Sequence, residues 1–419
     1  MPANGNPMNK HPYGIGTTDY QAGIDFGRLR RERLAKAQAT LGQHGIGAAL
    51  LTRPENIRYT TSVRGHEIAP LMSYALVFAD QDPVLFELGD QLGHQAVYAP
   101  WIRAENLKHS YSWLGGIGGR DAATSEARLF ARSIKEALDA HGFSGERLGF
   151  DVLDDVARAA LAECDIELTS AQPAMLEARA TKTVDEVACI RTAIAISNNG
   201  FASLGSFRPG LRERDAAAAA HQAMLQAGAE SAAGGLRTGF NTFDVYHINH
   251  TDRIVDPGDL AYMLVCGTTY AGYKVCIYRS FIVGRRPNEK ERAWYQKCRD
   301  RVYSVISEIK PGATTSDAAK HFLPARTWGY DAEQPLLVAE VGHGIGQTYE
   351  PPVISRLWSF DHPQVFEPGM VIAVESREGE PGYGGVRLEE MVLVTETGHE
   401  ILTTWPSEEV MPIGLIPGS

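Results

Sequence analysis

The sequence predicts two domains: an α/β N-terminal half, and an α+β C-terminal half in which helices cover a curved antiparallel sheet. Three observations point to this. Strand-like and helix-like segments alternate up to about residue 175. Thr183-Val184-Asp185-Glu186 then has the form of a capping box opening a long apolar-periodic run. Past it, long helical segments and paired strand segments follow without strict alternation. The expected division is therefore an arm over residues 1–25, a first domain over 26–175 and a second over 176–419.

In order along the chain, the arm is rich in Pro, Gly and Asn and lacks the apolar core of a signal peptide. It reads as flexible, or as ordered only against a partner subunit. Residues 26–45 have the pattern of a charged amphipathic helix, and Gly47-Ala48-Ala49-Leu50-Leu51 that of a buried strand. Pro54-Glu55-Asn56-Ile57-Arg58-Tyr59 reads as a turn, residues 75–78 and 83–87 as strands, and 123–141 as a helix. The glycine-rich stretch Trp113 to Gly119 has no Lys-Ser or Lys-Thr after it, so it is not a phosphate loop and reads as a mobile lid-like loop. In the second half, helices are expected near 184–204, 211–227 and 288–309. Strands are expected near 259–284, 338–346, 369–376 and 385–396.

A chain of 419 residues, 44% hydrophobic and 22% charged, is long enough for two cores and ordinary for a globular protein. A net charge of −11 disfavours a nucleic-acid partner and mildly favours a small cationic ligand. No apolar run reaches membrane-spanning length, so no membrane partner is expected. The five cysteines (Cys164, Cys189, Cys266, Cys276 and Cys298) show no paired spacing, which fits a reducing cytoplasm.

Four segments carry the chemistry. The first is His247 … Arg253-Ile254-Val255 … Gly258-Asp259. The second runs from Gly258 to Val265 and on through Gly272-Tyr273-Lys274-Val275-Cys276-Ile277-Tyr278-Arg279-Ser280-Phe281. The third is Gly342-His343-Gly344-Ile345-Gly346 … Glu350-Pro351-Pro352, and the fourth Val374-Glu375 … Gly384-Gly385-Val386-Arg387-Leu388-Glu389-Glu390. In this order and at these separations they closely resemble the pita-bread fold family of creatinase, prolidase, aminopeptidase P and methionine aminopeptidase. Asn56-Ile57-Arg58-Tyr59 is similar to the creatinase and dimethylsulfoniopropionate lyase branches. The resemblance implies a pita-bread C-terminal domain, a homodimer, and a site at the positions matching Val265, Cys276, His343, Glu375 and Glu389. In the metal-dependent members these five hold two divalent ions.

Val265 offers no donor, and Cys276 offers a thiol where the family has a carboxylate. A pair of hard ions wants several oxygen donors, so a two-metal centre is not expected. A single zinc on Cys276, His343, Glu375 and Glu389 stays open. The resemblance also supplies a precedent for no cofactor, since creatinase keeps the corresponding His and first Glu, has neither Asp, and works without metal.

Without metal, Glu375 and Glu389 would face each other with no positive charge between them, so one carboxyl would hold a proton or a cation would fill the gap. Arg387 and Arg279 could supply that cation as structural ion pairs, or a cationic group of the substrate could. His247 sits six residues before Arg253, where creatinase has its catalytic His, and an imidazole there can act as general acid and base. His250 does not match the family position. His343 lies among glycines that would let a ligand approach closely. Tyr349 replaces a His that the peptidases carry, and Tyr278 replaces the Glu that grips guanidinium in creatinase. Cys276 is open to three roles: zinc ligand, nucleophile or apolar filler, the commonest fate of a free cysteine. Cys266 reads as packing. Arg64 and His66 follow a turn that, in family dimers, reaches toward the partner's site, where an Arg would grip a substrate carboxylate.

The expected function is a metal-independent, creatinase-like hydrolase acting on a C–N bond of a small cationic or zwitterionic molecule. Its alternatives are a lyase of the dimethylsulfoniopropionate type, a single-metal Xaa-Pro dipeptidase, and a pita-bread module that binds without catalysis.

Overall fold

The computed structural model describes residues 23–415 apart from 66–68, 70, 90, 245–249 and 337–339. The first domain is built on β1 (Ala48–Leu51), β2 (Ser73–Phe78), β3 (Val84–Glu87), β4 (Leu107–His109), β5 (Leu148–Phe150) and β6 (Leu168–Ser170). They form one sheet in the order β4-β3-β2-β1-β5-β6, antiparallel around β1, β2 and β3 and parallel toward both edges. Residues of β1, β2 and β3 are buried on both faces, which is why these short runs are almost wholly apolar. The helices Phe26–Gln43 and Gln172–Ala180 pack on one face and Arg120–Ala140 on the other.

Residues 54–59, expected as a turn, lie in an α-helix, Pro54–Thr61. Pro54 occupies its first turn, where the missing N–H costs nothing, so the proline opens the helix instead of breaking it. Part of the glycine-rich stretch forms a 3-10 turn, Leu114–Gly116, ahead of the helix Arg120–Ala140.

The capping box at the entry to the second domain is present: the Glu186 carboxylate accepts from Thr183 N at 2.8 Å, and the helix runs Val184–Ser203. The strands are β7 (Gly235–Thr238), β8 (Leu260–Tyr270), β9 (Tyr273–Val283), β10 (Val341–Ile345), β11 (Tyr349–Ile354), β12 (Val371–Glu380), β13 (Gly384–Val394), β14 (His399–Ile401) and β15 (Met411–Ile413). They form two sheets, β15-β9-β8-β7 and β11-β10-β12-β13-β14, antiparallel except for the β9–β15 pair. The two meet where β9 crosses β13: Ser280 Oγ donates to Arg387 O and accepts from Arg387 N, both at 2.8 Å.

Alternation along the strands decides what faces where. On β12 and β13, Ile372, Val374, Val386 and Leu388 pack under the helix Glu289–Ser307 through Cys298, Val302 and Val305. Glu375, Arg377, Arg387 and Glu389 therefore point to the opposite, inner face. The first domain closes against the second through buried ion pairs: Arg179 and Lys182 reach Glu350 at 3.2 and 2.7 Å.

Candidate functional site

Two long hairpins supply the inner face. In β12–β13, Glu375 stands directly opposite Glu389, and one rung further Arg377 stands opposite Arg387. Both glutamates are buried. Neither carboxylate oxygen of Glu389 has a hydrogen-bond partner among the described residues. Burial, followed by the Glu389 carboxylate, pushes the Glu375 carboxyl well above the ordinary carboxylate range, against the pull of Arg387. The apposed pair thus favours the protonated form of Glu375.

The two arginines that could have neutralised this pair behave differently. Arg279 is committed elsewhere: it donates to Glu390 at 2.9 Å and to the carbonyls of Tyr278, Glu389 and Trp405. Alternation puts it on the helix-covered side. Arg387 lies on the inner face over the rings of Tyr262 and Tyr278, 5.3 and 5.8 Å from their centroids.

In β8–β9 the register corrects the sequence reading. Cys276 is paired with Cys266, and Val265 with Ile277, whose side chains point to the helix-covered face. The residue facing Cys276 is therefore Cys266, which had been read as packing. The two thiols are free and their sulfurs lie 2.9 Å apart. Cys266, burial and the nearby Glu389 push the Cys276 thiol well above its usual range, which opposes a nucleophilic role. A count along the strand from Leu260 in steps of two selects Cys266. The family spacing of eleven selected Val265 instead, because the register shifts in a bulge between Cys266 and Thr269.

His343 enters from β10. It is buried, its Nε2 lies 3.6 Å from Glu389 Oε1, and its Nδ1 lies 3.2 Å from Gly344 O. The ring of Tyr349 meets it edge-on, with centroids 4.5 Å apart, while Tyr349 itself is 60% exposed at the rim. The glycines around His343 serve the fold, contrary to the expectation that they admit a ligand. A Cβ on Gly344 would collide with the carbonyls of Glu350 and Pro351, so glycine lets β11 approach.

Cys276, His343 and Glu389 thus come together, with donor atoms all within 4.8 Å of one another, and Glu375 and Cys266 border them. Tyr278 is buried two residues beyond Cys276 on the same face of β9. Arg64 is apart from the cluster and lines a cavity of ≈ 390 Å³ between the domains. His247 and His66 lie outside the described residues. His250 meets His221 edge-on, with ring centroids 6.4 Å apart.

The donor chemistry does not fit a pair of hard divalent ions: two thiols occupy the hairpin that would have to supply carboxylates. It does fit one soft divalent ion such as zinc, held by Cys276, His343 and Glu389.

Residues 33–181 match the creatinase/prolidase N-terminal domain, and residues 188–396 match metallopeptidase family M24. The chain belongs to the pita-bread fold family. An Xaa-Pro dipeptidase of Pyrococcus furiosus is 25% identical over 89% of this chain and 98% of its own length. A creatinase of a Bacillus species is 28% identical over 90% of this chain and 89% of its own length. A dimethylsulfoniopropionate lyase of Roseovarius nubinhibens is 24% identical over 92% and 88%. Among solved structures, an Xaa-Pro dipeptidase from Bacillus anthracis superposes with a TM-score of 0.72 at 22% identity, covering 91% of this chain and 99% of that one. The relatives thus span peptide hydrolysis, non-peptide hydrolysis and elimination. No helix among the described residues is long and apolar enough to cross a membrane.

Proposed function

We propose that the protein is a metal-independent, creatinase-like hydrolase that cleaves a C–N bond in a small cationic or zwitterionic molecule. It would act as a cytoplasmic homodimer, its two domains dividing after the helix Gln172–Ala180. One observation supports this reading: Glu389 is fully buried, neither of its oxygens has a hydrogen bond among the described residues, and it stands opposite a second buried carboxyl. Such a pair is costly until something positive reaches it. A guanidinium, amidinium or ammonium group bound there would release the proton held on Glu375 and be gripped by two charge-assisted contacts.

His247, on the sequence resemblance alone, is assigned the proton transfers. It would take a proton from water as the water oxygen bonds to the carbon under attack. It would then give that proton to the nitrogen as the C–N bond breaks. His343 and Tyr349 would orient substrate or water. His247→Asn should lower kcat by roughly 10²–10⁴-fold without loss of thermal stability. Turnover in ¹⁸O-water should put the label in the product, whereas an alkene product would move the assignment to elimination. An unchanged kcat in the variant removes His247 from the reaction.

A second reading has its own observation, the convergence of Cys276, His343 and Glu389. One zinc held there would acidify a bound water, as in single-zinc hydrolases. Activity lost to a chelator and restored by one equivalent of zinc per chain would favour it, together with cleavage of a proline dipeptide.

A further inference from the structure

Strand register sets two of the five cysteines face to face. On the β8–β9 hairpin Cys266 is paired directly with Cys276, both thiols are free, and their sulfurs lie 2.9 Å apart. Directly opposed residues of an antiparallel ladder have Cα atoms about 4.5–5.5 Å apart, inside the range that a disulfide spans. The other three cysteines sit on separate elements. Cys164 follows the helix Asp155–Ala162, Cys189 belongs to Val184–Ser203, and Cys298 to Glu289–Ser307. Burial raises the thiols of Cys189 and Cys298 to about 12, which leaves both inert.

The two facing thiols differ in access. Cys276 is buried, whereas Cys266 is partly exposed. Gly267, the next residue, lines the interdomain cavity of ≈ 390 Å³, so a small oxidant in that cavity comes within reach of Cys266 first. Cys276 is the inner member, with its Sγ within 4.8 Å of donor atoms of His343 and Glu389. The pair thus runs from the cavity to the carboxylate cluster, its reachable sulfur outside and its cluster sulfur inside.

We propose that Cys266 and Cys276 form a redox modification site, at which hydrogen peroxide joins them in an intrachain disulfide and so withdraws the Cys276 thiol from the cluster. The Cys266 sulfur bonds one peroxide oxygen as the O–O bond breaks. That sulfur is oxidised to a sulfenic acid, and the thiol proton leaves with the other oxygen as water. The Cys276 sulfur then bonds the sulfenic sulfur as the S–O bond breaks, and its proton leaves with the hydroxyl as a second water. Two thiols lose two hydrogens in all, and one peroxide is reduced to two waters. Burial disfavours the Cys276 thiolate, but no diffusion separates it from its partner sulfur, which offsets that cost. The bridge is independent of both functional readings. Its effect on metal rests on the single-zinc reading: only a thiolate ligates well, so the bridged chain would keep just His343 and Glu389 of that trio.

Hydrogen peroxide added to the native full chain, then removed with catalase before unfolding and alkylation, reads the bridge. Five thiols should be alkylated in the untreated chain and three after oxidation, five less the joined pair. Peptide mass spectrometry should find the Cys266 and Cys276 peptides linked and two hydrogens lighter than their sum, and dithiothreitol should restore all five thiols. Under the same dose Cys266→Ser should leave Cys276 free, and Cys164→Ser should leave the bridge unchanged. A wild-type chain that keeps all five thiols, that oxidises Cys266 to a sulfinic acid without bridging, or that bridges another pair overturns the proposal. Zinc titration of the reduced and bridged wild-type chains reads the consequence, and the reduced form should bind at least about tenfold tighter. Equal affinity, or no binding by either form, with the bridge present sinks the metal effect and the single-zinc reading and leaves the modification site standing.

Discussion

The two hairpins that face each other across the inner cavity have the same architecture and opposite chemistry. β12–β13 keeps two carboxyls at its centre, with two arginines one rung away. β8–β9 presents two free thiols at the matching depth, with Tyr278 and Leu264 beside them. In a site built for two metal ions both walls must donate oxygens. Here one wall does so and the other is nearly neutral, which leaves a concentrated negative charge and no donor set to share hard cations. On the proposed reading, replacing one wall changes what the other is for: the same glutamates that would ligate ions would receive a single diffuse cation.

The contrast is breakable by making the hairpins alike. The double substitution Cys266→Asp with Cys276→Asp adds carboxylates opposite Glu375 and Glu389. It should lower the stability of the metal-free chain by about 3–5 kcal/mol through uncompensated buried charge, recovered when manganese is added. Thermal melts with and without the ion check this, and a variant as stable as the wild type without manganese would contradict it. Glu389→Gln acts on the other hairpin and should weaken guanidinium binding on the order of 10²-fold, read by titration.

Glu375→Gln sharpens the comparison through pH. Its folded-state pKa is raised above the ordinary 4.5, so the folded chain binds more protons than the unfolded one. Wild-type stability should therefore fall as pH climbs from that value toward the raised one, by up to about 1.4 kcal/mol for each unit of the shift. The glutamine variant, which resembles the protonated form, should lack this fall, and parallel pH–stability curves would refute the shared proton. The same linkage makes cation affinity rise with pH. The smallest effect is expected at the rim: Tyr349, 60% exposed, should cost only a few-fold in kcat/KM as Tyr349→Phe, because water can replace its hydroxyl.

Most of this contrast was legible in the sequence. His343, Glu375, Glu389 and Cys276 were picked out from motif order, and His343, Glu389 and Cys276 converge with Glu375 opposite Glu389 because strand registers follow from regular alternation. Cys266 was missed because the bulge after it breaks the spacing inherited from the family. The helix at Pro54–Thr61 was missed because proline marks turns and helix starts alike. Short strands such as β5, β6 and β14, three residues each, carry too few alternations to be seen. Arg64 and Lys274 lie far apart in sequence, and only the closure of the two domains brings them to one cavity.

The most direct measurement is titration of chelator-treated wild-type chain with guanidinium ion at low millimolar concentration, in two buffers of different ionisation heat. The expected result is one site per chain with release of about one proton, the proton held on Glu375. No binding until two equivalents of divalent metal are supplied would contradict the one-sided, cation-receiving cavity.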